Sequence, residues 1–146
     1  MAKPSKEQIL LLDELRDFVM EVMRDMPEWV DAKVERLRSI PLGVLRRNAT
    51  QRHGVTRWKR GVNLHSLQPE DVEVIDIHPK MLNQRWKAYS AFVLHHEYIH
   101  ALGLRAHNAL FRQLEAAWPG RTAGEQGIQF TEHLRLEKAI WLWCCP

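Results

Sequence analysis

The segment His95-His96-Glu97-Tyr98-Ile99-His100 lies in a run whose apolar residues, Phe92, Val93, Leu94, Ile99 and Leu102, have the texture of a helix. On a helix, His96 and His100 fall one turn apart on a single face, where two neutral imidazoles can point at one cation. Glu97 stands to one side of that pair, placed to reach a water on the cation rather than the cation itself. The arrangement suits water activation. Imidazoles hold Zn²⁺, the ion lowers the pKa of the water towards ~7, and the carboxylate takes the proton. His95 is turned about 100° from His96 and leaves that face.

A catalytic zinc takes three protein ligands and keeps a fourth position open. His107 is the candidate third. On an unbroken helix it would share the face of His100 but lie about 10 Å further along the axis. Two ligands of one tetrahedral ion must bring their nitrogens to roughly 3 Å of each other. The helix must therefore break between them, and Gly103 stands where a left-handed cap would turn the chain. The alternative is one continuous helix, with its histidines a polar stripe and Glu97 a surface charge.

The remaining pattern reads as α+β. Residues 5–26 form an amphipathic helix, with Ser5 as N-cap and a stripe of Ile9, Leu12, Leu15, Phe18 or Val19, Val22 and Met26. Trp29, Val30, Val34 and Leu37 extend a second helical stripe to Ser39, where Ile40-Pro41 stops it. Residues 42–51 and 55–60 read as a hairpin, with Gly54 supplying a positive φ at the turn. A third strand covers 72–77, and Pro79 closes it. Helices follow over about 84–102, 107–118 and 131–143. With 146 residues, 45% of them hydrophobic, a single domain can bury a core without disulfides or a structural metal.

The only cysteines, Cys144 and Cys145, cannot build a disulfide framework. Apolar runs are far short of the roughly 20 residues of a membrane span, and the first residues have no secretory pattern. The expectation is a soluble, cytoplasmic monomer. Net charge is only +3, but residues 36–60 hold eight basic side chains and no acidic one. Arg46, Arg47, Arg52, Arg57, Lys59 and Arg60 would then line a basic hairpin that meets phosphate, with Trp58 among them to stack on a base. The plain reading is a solvated strand face, with Trp58 packed on the sheet.

His96-Glu97-x-x-His100-Ala101-Leu102 followed by His107-x-x-x-Phe111 resembles the SprT-like zinc metallopeptidases, a family that includes a DNA–protein crosslink protease. The strand Val74-Ile75-Asp76-Ile77-His78-Pro79 and the basic segment around Trp58 also look like family features, so the resemblance covers roughly 42–118. It implies a small zincin-like fold and one zinc ion held by His96, His100 and His107. It further implies Glu97 as catalytic base, Phe111 packed beneath the third ligand, and protein substrates on or near DNA. Asn108 stands where the family pattern usually has Gly. Trp143-Cys144-Cys145-Pro146 reads either as the stub of the zinc ribbon many members carry or as two inert thiols. A metzincin pattern fails by one residue, since Ala106 stands where its last His should be. Two other classes remain: a zinc-containing, DNA-associated adaptor without protease activity, and a metal-free helical interaction module.

Overall fold

The computed structural model describes residues 2–120 and 123–144. The chain begins with helix α1 (Lys6–Asp25), two 3-10 turns (Pro27–Trp29 and Val34–Ser39), and strands β1 (Leu42–Val44), β2 (Gly54–Trp58) and β3 (Val72–Ile77). Helices α2 (Lys87–Ala101), α3 (Ala109–Ala116) and α4 (Gln126–Cys144) follow. The architecture is α+β, as the sequence pattern implies. Cys145 lies outside the described residues, so the zinc-ribbon stub is not addressed by the structure.

Helix α1 is started by its sequence. The Ser5 hydroxyl accepts from the Gln8 N–H at 3.1 Å, and the Gln8 side chain accepts from the Ser5 N–H at 2.9 Å. This reciprocal cap satisfies two backbone donors the first turn would otherwise leave open. The buried face is Leu12, Leu15, Val19, Met20 and Met23, each contributing about 1.5–3 kcal/mol when fully buried. Ile9 and Phe18 fall outside that face and stay nearly half exposed. Between Pro27 and Pro41 there is no full α-helix, because the intervening run is short and bent at Lys33. Its apolar residues Trp29, Val34 and Leu37 are buried all the same.

The sheet corrects the expected hairpin. Its order is β1-β3-β2, with β1 parallel and β2 antiparallel to β3. Strand β3 has Val72, Ile75, Asp76 and Ile77 buried, so it is the central strand and takes a partner on each edge. Strand β1 stops at Val44, where the next residues turn back through an Ala49 N–H to Arg46 carbonyl bond of 3.0 Å. Gly54 has no positive φ; among the described residues only Gly61 and Gly103 do. Gly54 is needed for room instead. A Cβ there would lie 2.7 Å from Val93 Cγ1 and 3.2 Å from Glu97 Oε2.

That topology also divides the basic run. Val44 and Gly54 pair with Ile77, whereas Trp58 pairs with Val72 at the other end of β3. Arg46, Arg47 and Arg52 therefore leave one end of the sheet, and Lys59 and Arg60 the other, about 17 Å away along an extended strand. Arg57 donates to buried Asp76 at 2.9 Å, so its charge is engaged within the sheet. Trp58 is half-buried against the core. No basic hairpin forms. Helix α2 packs against α1, against β2 and β3 of the sheet, and against α3.

Candidate metal centre

Helix α2 carries Tyr89, Val93, His96, Glu97 and His100 at steps that keep them along one side. The helix ends in a Schellman cap: Gly103 at φ 114° donates to the His100 carbonyl at 2.9 Å, and Leu104 donates to that of Ile99 at 3.4 Å. The left-handed residue turns the chain, as the ligand geometry requires. Helix α3 then starts at Asn108, whose side chain accepts from the Phe111 N–H at 3.0 Å. His107 immediately precedes this cap and returns to the face of α2.

The result is a cluster. One ligand atom each from His96, His100 and His107 lies within 4.8 Å of the others. His100 Nε2 and His107 Nε2 stand 3.1 Å apart, close to the spacing of two nitrogens on one tetrahedral ion with bonds of about 2.0 Å. The tautomers follow from the remote nitrogens. His100 Nδ1 donates to the Leu104 carbonyl at 2.7 Å, and His96 Nδ1 lies against Glu115 Oε2. Both bonds engage Nδ1 and leave Nε2 as the other nitrogen of each ring. Buried Phe111 lies beneath all three, its ring centroid 4.8, 4.7 and 4.8 Å from those of His96, His100 and His107.

Comparison with family models, curated proteins and solved structures gives no match. Three convergent imidazoles, with no cysteine among them, form a group that could hold a metal ion.

Glu97 is buried, 5% exposed, and outside the ligand cluster. The Thr56 hydroxyl donates to its Oε1 at 2.8 Å, and its Oε2 lies 3.8 Å from His96 Nε2. Burial pushes its carboxyl above the usual range, while the neighbouring His96 and the Thr56 bonds pull the other way. The hydrogen bond from His96 holds the Glu115 carboxyl below its usual range. Burial lowers the His100 imidazole, which favours the neutral, ligating form.

The cluster opens on a cavity of about 490 Å³, walled by residues 51–55, by α2 from Tyr89 to His100, and by His107 and Glu115. His53 is in that wall, its Nδ1 2.6 Å from the Tyr89 hydroxyl and its Nε2 3.0 Å from Thr131 Oγ1. His95, by contrast, is fully buried, accepts from Trp29 Nε1 at 3.2 Å and packs on Trp118. Tyr98 is core and Arg105 is exposed.

Of the residues picked out in the sequence, His96, Glu97, His100, His107 and Phe111 are brought together. Among the nucleic-acid candidates, Arg52 borders the cavity, Arg46 and Arg47 are exposed at the same end of the sheet, and Arg57, Trp58, Lys59 and Arg60 lie elsewhere. Sequence reasoning missed Gly54, Thr56, His53 and Glu115. Only Glu115 left a signal: it lies two helical turns past His107 and one past Phe111, on the same face.

Proposed function

We propose that this chain is a zinc-dependent metallopeptidase with a zincin-like active site, acting on proteins held on or near DNA. The observation that carries the reading is the pairing of three convergent imidazoles with a buried carboxylate that does not join them. A metal-storage or purely structural site has no need of that carboxylate. The resemblance to SprT-like peptidases supplies the substrate class.

His96, His100 and His107 would hold the ion, which when bound polarises a peptide carbonyl and makes water more acidic. Glu97 accepts the proton of the attacking water and returns it to the departing amine, as the new C–O bond forms and the C–N bond breaks. Thr56 fixes one Glu97 oxygen and leaves Oε2 on the His96 side, where that proton must arrive. Desolvation of the carboxylate favours proton uptake. A peptide has a place to lie: the cavity runs along the start of β2, an edge strand whose outer backbone groups can pair with an extended chain. Arg46, Arg47 and Arg52, at that end of the sheet, would supply the phosphate contacts.

The test is hydrolysis of an unfolded protein presented on DNA, by zinc-loaded wild type and by Glu97→Gln. Cleavage is expected to fall by about 10²–10⁴-fold in the variant, with zinc content unchanged. Undiminished cleavage by Glu97→Gln removes Glu97 from its role.

A further inference from the structure

We propose that Glu115 is a positioning residue for the metal centre, accepting the Nδ1–H of His96 and so fixing which nitrogen of that ring faces the cation, and at what angle. The inference rests on the reading of the three histidines as zinc ligands and adds a residue that the short motif does not contain.

Partner choice points to this role. The carboxylate of Glu115 is mostly buried, and among the described residues its only ion-pair partner is His96. It is not a ligand itself, since the clustered atoms are imidazole nitrogens alone. It engages Nδ1 of His96 and leaves Nε2, the nitrogen 3.8 Å from Glu97 Oε2, without that bond. An ionised carboxylate only accepts, so Nδ1 is the donor in this bond and Nε2 is the nitrogen left for the cation.

The place of Glu115 in the chain points the same way. Helix α3 is a short, capped element with His107 just before its cap, Phe111 one turn in and Glu115 one turn further. It therefore meets the centre at three points: a ligand at its start, an aromatic floor in the middle, and a hydrogen-bond acceptor near its end. His107 anchors α3 to the ion, and Glu115 anchors the first ligand of α2 to α3. The equivalent acceptor for His100 is the Leu104 carbonyl, which no side-chain substitution removes. Glu115 is thus the side chain through which such orientation can be tested. Groups of this kind, behind a metal-bound imidazole, are worth about 10–100-fold in metal affinity.

The experiment measures zinc affinity by chelator competition, with the visible spectrum of the cobalt-substituted protein beside it. Glu115→Leu keeps bulk and helix but has no acceptor; Glu115→Gln keeps an acceptor oxygen without the charge. The Leu variant is expected to bind zinc about 10–100-fold more weakly, with a changed cobalt spectrum. The Gln variant should recover most of the affinity, and the metal-free proteins should unfold alike. If the Leu variant does not fold, the Gln variant decides, through a shifted cobalt band and an affinity loss smaller than tenfold. Variants matching wild type in affinity and spectrum overturn the role of Glu115 and leave the metal centre standing. A wild type that takes up no zinc overturns the centre, and this inference with it.

Discussion

Two stretches of this chain are chemically conspicuous, and the fold treats them in opposite ways. Residues 96–107 hold three histidines that converge to within 4.8 Å. Residues 36–60 hold eight basic side chains: Arg46, Arg47 and Arg52 leave one end of the sheet and Lys59 and Arg60 the other, while Arg36, Arg38 and Arg57 are ion-paired to Glu70, Asp17 and Asp76. The first stretch is governed by helix geometry and one left-handed glycine, both local. The second is governed by which strand pairs with which, and that is decided by β3, far along the chain. Spacing within a helix is a statement about space; a run of charge across strands is not.

The largest test of this contrast is on the histidine side. His107→Ala should cost the centre more zinc affinity than the loss of a group behind a ligand, hence more than about 100-fold, by chelator competition. An unchanged affinity would mean that the return of the chain at Gly103 has no bearing on the metal. Next is Gly54→Ala, which forces a Cβ to 2.7 Å from Val93 Cγ1 and 3.2 Å from Glu97 Oε2. A stability loss of about 1–3 kcal/mol is expected, read by urea unfolding, with weaker peptide cleavage. A tolerated alanine would show that β2 does not confine Glu97.

The basic run offers a smaller effect. Reversing the charge of Arg46 and Arg47 should flatten the salt dependence of DNA binding by about 0.9 in slope for every phosphate that is no longer neutralised. Reversing Lys59 and Arg60, at the far end of β3, should leave the slope nearer that of wild type. Equal effects from the two pairs would rejoin what the sheet separates.

The smallest effect concerns His78, at the same end of the sheet as Arg46 and Arg47. It is fully buried, its Nε2 bonded to the Ala49 carbonyl at 2.8 Å and its Nδ1 accepting the Lys80 N–H at 3.1 Å. Burial lowers its pKa, so the unfolded chain takes up the proton first. Its stabilising share is present above the ordinary value of about 6.5 and is lost as pH falls through the lower folded value. Burial also lowers His53, and His95 to about 4, adding to the same slope. In chelator, urea midpoints should drop on acidification, and His78→Gln should show a shallower drop.

Much of the fold was legible where the cause was local. Ser5 caps α1, Pro79 closes β3, and Gly103 turns the chain at the residue that ligand geometry requires. The candidate site was legible for the same reason in His96, Glu97, His100 and His107, Phe111 entered only through the family resemblance, and His95 could be excluded by its angle alone. What was not legible depended on docking between distant elements. Thr56 reaches Glu97 only because β2 lies antiparallel to β3 and over α2. Gly54 looks like a turn glycine until Val93 and Glu97 are placed against it. Glu115 stood on the right helical face, but nothing in the sequence said which imidazole it would meet.

X-ray absorption at the zinc edge, on protein purified without added metal, addresses the central claim most directly. The account predicts a shell of light donors at about 2.0 Å with the outer scattering of imidazole rings. A sulfur shell near ~2.3 Å, the mark of cysteine ligation, or protein free of zinc altogether, would contradict it.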